Sequence, residues 1–218
     1  MFETIYKSRK PIAIIDIPEG HPLDEREREI RFPKIQVGSD FRDTLDSVRQ
    51  YIKKFADLEK EREVYMLEQL EPKIRELIST YPQLGSKREI NALLSIGGAH
   101  ILFSNKLKNQ YDTTKDINAA QRVLLYKEEA MIKYMLDTPV NDELVAKGIF
   151  ETLLSKAHQK LFFTNDTVND TRSIRKLVSR FSFYEMKAMF ESAHDLNEWA
   201  NMFVQGAKER VTVPAAVK

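Results

Sequence analysis

Two residues stand where chemistry could be done, His100 and Arg62. His100 closes the run Asn91 to His100, Asn-Ala-Leu-Leu-Ser-Ile-Gly-Gly-Ala-His. Its apolar part is short and bounded by turn residues, the pattern of a strand covered on both faces. Gly97 and Gly98 then allow a sharp turn and the close approach of a ligand. His100 would sit at that strand's carboxyl end, where open α/β sheets bind ligands. A strand-to-helix turn whose histidine bonds only nearby backbone explains the same residues.

Arg62 draws notice by its phase. Phe41, Leu45, Val48, Ile52 and Phe55 follow one another at spacings of four, three, four and three, the apolar stripe of an amphipathic helix. Carried on through Leu58, the stripe meets Arg62 and then Tyr65, Met66 and Gln69. A buried guanidinium is costly unless paired. Either its stem packs inward while the head reaches water, or Arg62 enters a polar pocket and binds an acidic group.

A third set lies near the N-terminus. Ile12-Ala13-Ile14-Ile15-Asp16-Ile17 reads as the best buried strand in the chain, stopped by Pro18, Gly20 and Pro22. Asp16, Glu19 and His21 lie near its carboxyl end, a position that suits ligand contacts. A metal site would have to join His100 to His21 or to carboxylates, Asp16 and Glu19 being the nearest candidates. His158 and His194 read as packed, structural residues.

The elements that would position these residues are mostly helical. Residues 1–9 can form a short helix. Ser39 or Asp40 caps a helix from Phe41, which continues or restarts at Asp57 and is kinked or ended at Pro72. Residues 101–111 form a short helix, 115–136 and 141–162 two longer ones, and 171–205 two helices or one bent one. Residues 164–170 read as a loop. The expected fold is α/β, with a small, mostly parallel sheet in the N-terminal half and a predominantly helical C-terminal half. Residues 1–112 form the α/β part, 113–207 a helical part packed on it, and 208–218 a flexible tail.

Composition removes several classes. The 218 residues include no cysteine, which excludes disulfides, thiolate metal sites and cysteine nucleophiles. Lys plus Arg number 34 against 33 for Asp plus Glu, a net charge of +1 that gives no steering field toward nucleic acid. The one basic stretch with aromatics, 171–187, is better read as a helix with a solvated basic face. No apolar run approaches the roughly 20 residues of a membrane span, and the polar first ten residues do not read as a signal peptide. A cytoplasmic setting is expected, with the sequons at Asn165 and Asn169 as plain loop residues. Walker, dinucleotide-binding, zincin and nucleophile-elbow motifs do not occur.

Two stretches together resemble the TraB/ChaN/Tiki-like superfamily, which includes erythromycin-esterase-like proteins. Leu58-Glu59-Lys60-Glu61-Arg62-Glu63-Val64-Tyr65-Met66 is similar to its Glu-Arg-Asp-x-x-Met helix, with Glu63 in place of Asp. Gly97-Gly98-Ala99-His100 resembles its later Gly-x-x-His motif. The likeness covers residues 1–110. It implies that Arg62 and His100 face one pocket together with Glu61, with His100 a divalent-metal ligand or general base and Arg62 stabilising developing negative charge. The substrate would be a small molecule or peptide. The superfamily's earlier Gly-x-x-His motif is missing. A chain needing both histidines would then be inactive, truncated or completed by another polypeptide, as a homo-oligomer or with a protein partner. The alternative is a non-catalytic helical interaction or regulatory protein on the same scaffold.

Overall fold

The computed structural model describes residues 11–87, 89–92, 94, 100–113, 124–158 and 167–212. The expected helix over 1–9, Gly97 and Gly98, the start of the 115–136 helix, Asn165 and the last residues of the tail lie outside this set. So do the side chains of His158 and Asn169. Nine helices make up the described chain: α1 (Pro22–Glu29), α2 (Phe41–Thr80), α3 (Pro82–Gly85), α4 (Ile101–Gln110), α5 (Tyr126–Met135), α6 (Asp142–His158), α7 (Thr167–Val178), α8 (Phe183–Ser192) and α9 (Leu196–Thr212).

The α/β expectation is overturned, because the described residues contain no strand. Residues 11–15 are irregular despite their β-branched composition, and no other described segment pairs with them. Ile12 and Ile14 are 49% and 76% exposed, so the run is no buried strand. In the second expected strand, Asn91, Ala92 and Leu94 are likewise irregular and exposed. A strand forms only where a neighbour satisfies its backbone, and two short candidates make at best a marginal pair. The first run is thus non-helical, as expected, but unpartnered; most of the second, Leu93 and 95–99, lies outside the described residues.

The chain divides into two compact units, Met1–Glu29 with Leu58–Thr113, and Ile30–Asp57 with Thr114–Lys218. The boundary falls inside α2, which is continuous over 40 residues and about 60 Å long at 1.5 Å per residue. It neither restarts at Asp57 nor ends at Pro72, whose exposed position leaves the freed carbonyl to water.

The second unit holds the large core. Its central helix is α6, packed by α5, α7, α8 and α9. Leu144, Val145, Ile149, Phe150 and Leu153 of α6 meet Phe41, Leu45, Val48 and Ile52 of α2 and Trp199 and Phe203 of α9 in one buried cluster. Phe150 stands edge-on to Trp199 at 5.0 Å between ring centroids. Each such side chain contributes roughly 1.5–3 kcal/mol by leaving water. Helix starts are capped as the sequence suggests: Asp40 accepts the Asp43 N–H at 2.9 Å, Asn141 the Leu144 N–H at 2.9 Å and Asp195 the Glu198 N–H at 2.9 Å. Ser182 and Glu185 form a reciprocal capping box on α8. The expected 171–205 pair is therefore three helices, and α7 begins within the expected loop. Gly38, at φ +80°, is required before α2: a Cβ there would lie 2.7 Å from the Ala193 carbonyl oxygen.

The first unit is far smaller inside. Met66, Phe103 and Leu107 are its one buried cluster among the described residues, with Ile15, Leu67, Leu70 and Tyr111 packed against it.

Candidate functional site

Of the residues singled out by sequence, Arg62, Asp16 and His100 come together at one stretch of α2 in the first unit. Glu59, Arg62 and Glu63 stand at positions i, i+3 and i+4, which places them on one helix face. That face meets Asp16 from the irregular N-terminal segment, Glu27 from α1 and His100 at the start of α4.

Arg62 is closed by its own neighbours. Its Nε donates to Asp16 Oδ1 at 2.8 Å and its Nη2 to Asp16 Oδ2 at 2.6 Å, a two-pronged fork. Nη1 lies 3.4 Å from Glu59 Oε1 and 3.7 Å from Glu27 Oε2. The fork holds the Asp16 carboxyl below its usual range, mainly through the Arg62 hydrogen bond. The same bond raises the arginine further. Glu59 is pushed the other way, because burial outweighs the attraction of Arg62 and His100. Of the two sequence readings of Arg62, the acidic group it reaches belongs to the protein itself.

His100 is paired differently. It occupies the N-cap position of α4 without a side-chain cap bond. The capping is done from α2: Glu63, 1% exposed, accepts the Phe103 N–H at 2.5 Å through Oε2. That is the third amide of α4, so a carboxylate from another helix satisfies an orphan donor and meets the positive end of the α4 dipole. The other oxygen, Oε1, faces His100 Nδ1 at 3.7 Å, and neither buried atom has a hydrogen-bond partner. The distance is too long for a direct bond.

The other expected residues lie elsewhere. Glu61 is exposed and forms a two-pronged pair with Arg26 of α1 at 2.6 and 2.8 Å, which lowers its carboxyl's pKa. Glu19 is exposed. His21 accepts the Leu23 N–H at 3.2 Å at the start of α1, and its ring stands 4.7 Å from Tyr65. Among the described residues no three His, Asp or Glu side chains are grouped to hold a metal ion. Within the basic stretch, Arg175 is engaged inside the second unit. Arg175 bonds the Leu124 carbonyl and Glu129 and lies over the Tyr126 ring at 3.9 Å.

Sequence reading missed Glu59, Glu63 and Glu27. The first two were legible in principle, since the one-turn spacing that placed Arg62 on the apolar face places them beside it.

Taken together, the described chain is an all-helical protein whose conspicuous polar residues form a half-buried knot of one arginine, four carboxylates and one histidine. No family model, curated protein or solved structure matches it. No helix among the described residues is long and apolar enough to cross a membrane.

Proposed function

We propose that this chain is a non-catalytic helical interaction protein whose first unit is completed by a polypeptide partner. What carries this is the imbalance inside that unit. Its buried apolar side chains among the described residues are Leu23, Leu58, Met66, Phe103 and Leu107, the last three forming one cluster, while Ile12, Ile14, Val64, Ile90 and Leu94 are exposed. As many large apolar side chains of this unit are left in water as are buried, which supports a binding surface there. Scattered single exposures, such as Tyr184 and Leu136 in the second unit, need no explanation.

The absence of a catalytic role is supported by the use to which the polar residues are put. A guanidinium forked onto Asp16 is not free to steady a substrate's developing charge. The hydrolytic site implied by the superfamily resemblance needed strand ends, and the described residues offer none. Hydrolysis is therefore not part of the proposal. The cytoplasmic setting expected from the sequence is.

A second copy is the simplest partner to test. Sedimentation of the full chain from low micromolar to high concentration, beside an Ile12→Lys, Ile14→Lys variant, decides it. Self-association lost in the variant supports the reading with a second copy as partner. A monomer throughout, with the first unit as resistant to amide exchange as the second, contradicts it.

A further inference from the structure

A third buried acid, outside the Arg62 knot, lies in the second unit. Glu151 on α6 is 2% exposed. Its Oε2 accepts the Tyr126 N–H, the first amide of α5, at 2.5 Å. Its Oε1 is fully buried and has no partner. One turn earlier, Gly148 lets the two helices meet closely, since a Cβ there would stand 3.2 Å from the Lys127 nitrogen. The first turn of α5 is thus seated directly on α6 with a carboxyl group beneath it.

The charged groups that act on Glu151 are Lys127 and Glu128 of α5 and Arg175 of α7. Arg175 is already engaged by Leu124, Glu129 and the Tyr126 ring. Toward α6, the helices α2 and α9 turn the apolar rings of Phe41, Trp199 and Phe203, and α8 buries Met186 and Phe190. An ionised carboxylate here has one helix-end N–H for one oxygen and nothing for the other. A buried charge left half-satisfied costs more than the neutral acid.

We propose that Glu151 is a proton-linked latch: the neutral acid holds the first turn of α5 against α6, and its ionisation loosens that turn. Burial pushes the carboxyl up to about 7, the helix N–H and the nearby cations opposing but not cancelling it. In an opened state the group would titrate near its ordinary 4.5. The closed state therefore binds the proton more tightly, and opening becomes easier as pH rises from about 4.5 to 7. Above that range the dependence ends. Within it, the opening constant rises about tenfold per pH unit.

Amide exchange of the full chain at pH 5 and pH 7.5, corrected for intrinsic rates, reads this directly. The expected result is that α5 loses protection by one to two orders of magnitude relative to α9, and that Glu151→Gln removes the difference. Side-chain carboxyl NMR of the unmutated protein provides a check if the variant fails to fold, with a Glu151 midpoint expected near 7. Equal α5 protection at both pH values, or a Glu151 midpoint in the ordinary carboxylate range, would overturn the proposal.

Discussion

Arg62 binds Asp16 across 46 residues of sequence, and this pair ties the N-terminal segment to α2. Removing the guanidinium leaves Asp16, Glu59 and Glu27 facing one another without a counter-charge. Arg62→Ala is therefore expected to destabilise the first unit. The side chains are 23% and 38% exposed, so water screens part of the loss. About 1–2 kcal/mol is expected, less than the roughly 3–5 kcal/mol of a fully buried pair. Arg62→Lys should recover little, because an ammonium cannot reproduce the fork. Denaturant unfolding of the three proteins checks this, and an unchanged midpoint in Arg62→Ala would leave the knot without a structural role. The sign of the acid dependence follows from Asp16. Its folded-state pKa is lowered, so its contribution is present above the ordinary carboxylate pKa and lost as pH falls through the lowered one. Asp16→Asn should flatten the acid limb of the stability curve. Glu151 works in the opposite direction. Its raised pKa, about 7, gives stability that is full below 4.5 and lost as pH rises through 7, by at most about 3 kcal/mol.

At the scale of elements, α2 shows most plainly what sequence could and could not tell. The stripe of Phe41, Leu45, Val48 and Ile52 is buried as its spacing requires, and Asp40 caps the helix. Pro72 was expected to kink or end the helix and does not end it; its ring lies on the exposed side. An interior proline still costs roughly 3 kcal/mol in helix propensity and a lost hydrogen bond. Pro72→Ala should therefore raise the melting temperature, and a neutral or lower value would mean the proline relieves some other strain. Gly38→Ala should do the reverse, since it combines a left-handed backbone with a 2.7 Å approach to the Ala193 carbonyl. The expected strands failed for a reason no local pattern contains. An apolar β-branched run such as Ile12–Ile17 states its preference for extended backbone, but only the rest of the fold decides whether a second strand lies beside it. The candidate site shows the same division. Arg62 was found by its phase on the helix, whereas its partner Asp16 was named for a strand end that does not exist.

At the scale of the molecule, the two units differ in what holds them. Among the described residues, the second is built on 25 buried side chains around α6, enough to pin its helices without further help. The first relies on five buried apolar side chains among its described residues, a polar knot and the capping of α4 by Glu63. Small cores of this kind are marginal, and their amides open locally at low cost. Residue-resolved amide exchange on the full chain in the absence of any partner is the most direct test. The α4 helix and the Leu58–Thr80 part of α2 are expected to exchange orders of magnitude faster than α6 and α9. Conditions driving association are expected to slow only the first group. Equal protection in both units of the isolated chain would mean that the first unit is complete as it stands and has no need of a partner.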